Sequence, residues 1–256
     1  MSLKASTIID LIRTDHKRVI DDNDRDYTYF HPSEFHECVR KIAYKFYEVE
    51  GKNKITPDLQ RIFDNGHYMH ERYVQYFRNI GIIYGVWQCA NPLCKEEYGR
   101  DVNIGIVEPE MPCEKCGCEK YFYEEVNVRK DDFWFSGHID CIFKLAGDLG
   151  IVDFKSMNSR MFSQLREPLE KHIIQVTIYL WILDIHSGFL LYENKDTQKI
   201  KLYEIVRNDE LVEKIKNRAM GLKGILEQRK LPKRPFKKDS KQCKSCDFKS
   251  VCWKKS

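Results

Sequence analysis

The sequence predicts an α/β (α+β) chain in which a mixed central sheet is flanked by helices. Segments with a helical apolar period give way to short runs with strand alternation, and the order along the chain is helix, strands, helix, strands. The 256 residues are 42% hydrophobic and 32% charged, which suits a globular chain with one large or two small cores and argues against wholesale disorder. No apolar run approaches the ~18–20 residues needed to span a bilayer, and no charged-then-apolar leader opens the chain, so a cytoplasmic protein without membrane contact is expected. Ten cysteines in such a chain read as ligands for metals or redox cofactors rather than as a disulfide framework.

Residues 3–20 have helical character through Ile8, Ile9, Leu11 and Ile12. The acidic stretch Asp21, Asp22, Asp24 and Asp26 lacks the ligand spacing of a calcium loop and reads as a connector. Ser33 is placed to cap a helix with Phe35, Cys38, Val39, Ile42 and Phe46 on one face. A second helix is predicted from Pro57 to about Ile80, with Leu59, Ile62, Phe63, Gly66, His70, Tyr73 and Phe77 on its inner stripe. Over 85–120 cysteine, proline, glycine and charge replace that pattern and mark an inserted module. Strands are predicted over Tyr121–Arg129, Phe133–Phe143 and Gly150–Lys155, then a helix from about Pro168 to Leu183. Phe189–Tyr192 and Lys199–Val206 form a hairpin around Asn194-Lys195-Asp196, and Asp209 caps a last helix reaching about Gln228. Four parts follow: a helical region over 1–84, the module at 85–120, a core over 121–228 and a basic segment at 229–256.

The net charge of +4 hides an asymmetry. Val212–Ser256 carries 15 Lys and Arg against 4 Asp and Glu, a balance of +11 that leaves −7 on the rest. A basic tail on an acidic body suits a polyanionic partner, although a solvated terminus has the same composition.

In Gly150–Lys155, strand alternation puts Asp153 and Lys155 on one face and Val152 and Phe154 on the other. Asp140, between the apolar Ile139 and Cys141, converges with Asp153 if the two strands pair. Two carboxylates and a backbone carbonyl match the needs of a hard divalent ion such as magnesium, and a neighbouring lysine can act on an attacking water or a phosphate. His70 on its apolar stripe reads either as a core histidine or as a ligand. Gln175 and Tyr179, an i,i+4 pair, read either as a packing contact or as part of the site.

Taken in order, Gly66-His67-Tyr68-Met69-His70-Glu71, Gly137-His138-Ile139-Asp140, Val152-Asp153-Phe154-Lys155 and Gln175-x-x-x-Tyr179 resemble the PD-(D/E)XK nuclease superfamily. The closer likeness is to its RecB-like branch, which includes CRISPR-associated RecB-like exonucleases, the AddB nuclease domain and phage exonucleases. The resemblance covers about residues 30–256 without the 85–120 insertion and implies a restriction-endonuclease-like fold. It also implies that His70, Asp140, Asp153 and the Phe154 carbonyl hold Mg2+ or Mn2+. Lys155 would act on the water and the phosphate, and Gln175 and Tyr179 would position the lysine and the DNA strand.

The tail holds Cys243-x2-Cys246-x5-Cys252, three thiols that need a fourth ligand, and Cys38 is the candidate. Spacing alone favours neither zinc nor an iron–sulfur cluster. Likeness to the iron–sulfur staple of AddB-type nucleases implies a [4Fe-4S] cluster on Cys38, Cys243, Cys246 and Cys252, pinning the basic segment to the body. The alternative is a buried Cys38 and a zinc ion with an outside ligand. Within the insertion, Cys89-x4-Cys94 and Cys113-x2-Cys116-Gly117-Cys118 predict a zinc-ribbon-like site on Cys89, Cys94, Cys113 and Cys116, with Cys118 spare or an alternative ligand. Cys141 reads as core.

The resemblance thus implies a metal-dependent DNA exonuclease on single-stranded or frayed ends, with a place in DNA repair or recombination. Lacking a Gly-x4-Gly-Lys phosphate loop, the chain would need a helicase or a recombination or CRISPR-adaptation partner for unwinding. The competing expectation is a non-catalytic nucleic-acid-binding or assembly subunit on the same fold.

Overall fold

The computed structural model describes residue 8, residues 26–52 and residues 55–254; the helix predicted over 3–20, apart from Ile8, and the Asp21–Asp24 stretch lie outside the described residues. Helices α1 (Val39–Phe46) and α2 (Pro57–Ile80) lead into eight strands. These are β1 (Ile83–Tyr84), β2 (Val86–Cys89), β3 (Glu97–Tyr98), β4 (Tyr121–Glu124), β5 (Val126–Lys130), β6 (Phe135–Ile139), β7 (Cys141–Leu145) and β8 (Asp148–Met157). Helices α3 (Ser159–Gln164) and α4 (Glu170–Leu183) follow, then β9 (Ser187–Asn194), β10 (Ile200–Val206) and α5 (Asp209–Glu227). The chain ends on single turns α6 (Lys241–Lys244) and α7 (Lys249–Cys252). No described helix is long and apolar enough to cross a membrane.

The main sheet has the order β1-β7-β8-β9-β10, with β8–β9 parallel and the other pairs antiparallel. A parallel pair needs a crossover, and α3 with α4 supplies it. Smaller sheets, β3-β2-β4 and β5-β6, stand beside the main one. Central β8 is covered on both faces. On one side Tyr73 of α2 stacks on Phe154 with ring centroids 5.1 Å apart; on the other Val176, Tyr179 and Leu180 of α4 share a core with Ile142, Ile151 and Leu190. Burial on both faces explains why Ile151–Phe154 contains only one polar side chain, Asp153.

Local signals account for the helix ends. Thr56 Oγ1 accepts from the Leu59 amide, Pro57 takes the first position of α2, and Gly81 closes it in the left-handed region at φ 78°. At α5 the cap is Asn208 rather than the expected Asp209, with Asn208 Oδ1 accepting from Leu211 N at 2.9 Å.

Further expectations are corrected. Helix α1 begins at Val39, not Ser33, because Phe35 leaves the helical path to pack on Phe135 with centroids 4.7 Å apart. The predicted strands over 121–129 and 133–143 are each broken, at Glu125 and Asp140, where the chain changes sheets. Helix α2 has the predicted span, but its expected inner stripe is exposed in the first two turns: Leu59, Ile62 and Phe63 are 39–49% accessible, while Met69, Tyr73 and Val74 are buried. Helix α3, capped by Asn158, has no counterpart in the sequence reading.

Candidate active site

Strand β8 carries Asp153 and Lys155 on the face that α4 covers. Lys155 Nζ stands 2.6 Å from Asp153 Oδ2, and Gln175 Nε2 donates to Asp153 Oδ1 at 2.8 Å. One turn along α4, the buried Tyr179 hydroxyl donates to the His138 carbonyl at 2.8 Å. Gln175 thus reaches the lysine through Asp153, and Tyr179 meets the backbone of β6.

Asp140 occupies the break between β6 and β7 and binds the central strand. Its Oδ2 accepts from Phe154 N at 2.7 Å, and its Oδ1 lies 3.6 Å from His70 Nδ1. The other His70 nitrogen, Nε2, is 3.1 Å from the Phe154 carbonyl oxygen. His70 and Asp140 thus grip opposite ends of the residue between Asp153 and Lys155. Glu125, in the break between β4 and β5, joins them: one ligand atom from each of His70, Glu125 and Asp140 lies within 4.8 Å of the others. Sequence reasoning missed Glu125. No local pattern in the sequence marks it.

Negative charge dominates this centre. Burial, with Asp140 adding and Lys155 opposing, pushes the Asp153 carboxyl up to about 7. Burial, then Asp140 and Asp153, pushes Glu125 up to about 7 as well. Burial outweighs Asp140 at His70 and lowers its pKa, favouring a neutral imidazole. Burial also pulls Lys155 down, but Asp153 and Asp140 more than offset it, so the ammonium persists. Burial and the Lys155 cation hold His172 neutral, with its pKa down at about 3. Carboxylates raised by burial and then by one another are suited to a bound cation. Carboxylate and carbonyl oxygens with one neutral imidazole form a donor set that fits Mg2+ or Mn2+.

The centre opens into a cleft of ≈ 980 Å³ whose lining includes Ile62, Phe63, His70, Lys155, His172 and Gln175.

The structure gathers one predicted cysteine set into a cluster and sets the other around a common pocket. In the β3-β2-β4 region the sulfurs of Cys89, Cys94, Cys113 and Cys116 all lie within 4.8 Å of one another. Cys89–Cys116 is 3.5 Å and Cys94–Cys113 3.6 Å, near the ~3.8 Å edges of a tetrahedron with Zn–S ≈ 2.3 Å. Tyr98 donates to Cys113 Sγ and lowers that thiol to about 6. Gly117 turns at φ 71°, Cys118 Sγ faces the Lys120 carbonyl, and Cys141 is fully buried. In the tail, Cys38, Cys243, Cys246 and Cys252 line one apolar pocket of ≈ 30 Å³ with Tyr44 and Trp253. Tyr44 stacks on Phe248 there, and Lys52 N donates to the Asp247 carbonyl, tying the tail to the body.

The crystal structure of SSO0001 aligns over 96% of each chain at 17% identity with a TM-score of 0.52, a likeness of fold. An alkaline exonuclease (LHK-Exo) from Laribacter hongkongensis aligns over 79% of this chain and 89% of its own at 10% identity, with a TM-score of 0.47. No curated protein matches the sequence. The family model of the PD-(D/E)XK nuclease superfamily matches residues 107–253. That span is more than half of the chain and contains Glu125, Asp140, Asp153, Lys155 and Gln175, and the chain belongs to the PD-(D/E)XK nuclease superfamily.

Proposed function

We propose that this protein is a divalent-metal-dependent DNA exonuclease of the RecB-like branch, acting on single-stranded or frayed ends. The observation that carries the reading is the buried Asp153–Lys155 pair beside the His70–Asp140 contact at the floor of an open cleft. His70, Asp140, Asp153 and the Phe154 carbonyl would hold Mg2+ or Mn2+, which when bound supplies Lewis acidity toward water and the scissile phosphate. Lys155 keeps its proton and can hold a phosphate oxygen or the attacking water by a charge-assisted hydrogen bond. Gln175 fixes the carboxylate that orients the lysine. Along the cleft, exposed Ile62 and Phe63 offer apolar surface to unpaired bases, and Lys171 and Lys195 meet the backbone.

The two cysteine sets take different centres in this reading. The compact set of Cys89, Cys94, Cys113 and Cys116 suits zinc. The tail set surrounds a common pocket, yet among the described residues its ligand atoms form no group within 4.8 Å, a wider spacing that favours a [4Fe-4S] cluster over one ion. The module at 85–120 and the segment from 229 then act as two metal-bound supports for the core.

The test is cleavage of end-labelled linear and closed circular single-stranded DNA with Mg2+ or Mn2+, using protein purified without oxygen. Wild type is expected to degrade the linear strand only, and Asp153→Ala and Lys155→Ala to degrade neither. Cutting of circles would overturn the exonuclease mode, and no cleavage of either substrate would overturn the enzymatic reading.

A further inference from the structure

Glu125 has no place in the motifs that mark the nuclease centre, yet the topology delivers it there. The β5–β6 ladder ends on the pair Val126↔Ile139, and one more antiparallel step sets Glu125 opposite Asp140. Both residues lie at breaks where the chain changes sheets, so neither carboxylate is drawn into a regular strand face. On the other side Glu125 follows β4, which is hydrogen-bonded to β2 through Cys89↔Tyr121 and Val86↔Glu124. The small sheet that carries the cysteine module therefore extends past residue 120 and ends one residue before Glu125. Its Tyr123 hydroxyl also donates to the Asp140 carbonyl at 3.4 Å, tying the module to the second carboxylate.

Two carboxylates facing each other across a ladder repel unless a cation lies between them. Among the described residues no Lys or Arg forms an ion pair with Glu125, whereas its neighbour Glu124 pairs with Arg100 at 2.6 Å. The third member of the cluster, His70, presents a nitrogen to the same place. Lys155, the nearest cation, makes its direct ion pair with Asp153, so the imidazole and two carboxylates converge with no Lys or Arg bonded to them among the described residues, a ligand set and not a salt-bridge network.

We propose that Glu125 is a third carboxylate ligand of the divalent cation at the nuclease centre, set in place by the last strand of the cysteine module. This rests on the reading of the centre as metal-dependent. Mn2+ suits the test, because oxygen ligands favour it and the thiolates of the cysteine sets favour softer ions.

Mn2+ binding to the full chain is measured by electron paramagnetic resonance of the free ion, for wild type, Glu125→Gln, Glu124→Gln and Asp140→Asn, each checked by circular dichroism. Glu125→Gln is expected to weaken Mn2+ binding by ~10-fold or more, and Glu124→Gln to leave it unchanged. Thermal melts give a second readout: metal-free Glu125→Gln melts no lower than wild type, since a repulsion is removed, and gains less on adding Mn2+. If Glu125→Gln binds Mn2+ as wild type does while Asp140→Asn does not, Glu125 is no ligand and the nuclease reading stands. Wild type binding no more tightly than Asp140→Asn would overturn both.

Discussion

Lys155 Nζ lies 2.6 Å from Asp153 Oδ2, and the Asp153 side chain is only 2% exposed. The pair is therefore a buried one, whose partners depend on each other more than surface ions do. Lys155→Met keeps the apolar stem and removes the charge. Cleavage is expected to fall by at least ~100-fold, because on the proposed function Lys155 is the group that meets the phosphate. Asp153, already pushed up to about 7, then holds its proton, so Lys155→Met/Asp153→Asn is expected to be no less stable than Lys155→Met. Single-turnover cleavage and denaturant unfolding of the three proteins check both points. A double variant far less stable than the single would show that Asp153 stays ionised without its lysine.

Stability of the metal-free protein should depend on pH with a definite sign. Asp153 and Glu125 rise to about 7 in the folded state, while unfolded carboxyls keep values of about 4. Between those values the folded protein binds more protons than the unfolded one, so stability falls as pH rises. The stabilisation is present below about pH 4 and gone once pH passes about 7. Melting in chelator is expected to shift down from about pH 5 to about pH 8, and Mg2+ should recover more at the upper end. A melting temperature in chelator that rises over that interval would contradict the placement of the carboxyls.

Gln175 and Tyr179 separate a site role from a packing role. Gln175→Leu leaves Asp153 Oδ1 without its donor and is expected to lower cleavage ~10–100-fold with the fold intact. Tyr179→Phe strands the His138 carbonyl and should cost ~1–2 kcal/mol of stability with near-normal cleavage. Loss of cleavage without loss of stability in Tyr179→Phe would return to Tyr179 the DNA-positioning role that the family resemblance implies.

The cysteine sets predict separable losses. Cys113 is buried, lies 3.6 Å from Cys94 and receives the Tyr98 hydroxyl. On the proposed division of centres, Cys113→Ser releases zinc and loosens residues 86–124 while leaving iron bound; metal analysis and hydrogen exchange read the two effects. Loss of iron in place of zinc would reverse the division of the cysteines.

Asp153 and Lys155 were legible because both sit in a short run whose alternation places them, and Asp140 because apolar Ile139 and Cys141 flank it, although it lies at a break between strands. Cys113 and Cys116 were legible for a similar reason, since a tight turn brings their sulfurs together locally. Glu125 was not: its approach to Asp140 depends on where the β5–β6 ladder ends and on a change of sheet, neither of which leaves a local pattern. The role of Gln175 was half legible, because helical spacing gives its face but not which β8 residue lies beneath. The first turns of α2 misled for a physical reason. Apolar period signals a face to be covered, and there the face borders the cleft and not the core.

Gly66 follows from the same wall of the cleft. It lies inside α2, and a Cβ built on it meets nothing within 4 Å. Glycine in a helix interior costs ~0.5–1 kcal/mol relative to alanine, so the fold alone gains nothing from it. Its position on the cleft lining, one turn before His70, makes the substrate the natural occupant of the open space. Gly66→Ala is then expected to raise stability by ~0.5–1 kcal/mol, as read by denaturant unfolding. Gly66→Trp should fold and bind Mn2+ normally yet raise KM for DNA, since the bulk enters the cleft without touching the metal ligands. Wild-type KM in Gly66→Trp would mean that the DNA passes along another wall, with Ile62 and Phe63 outside its path.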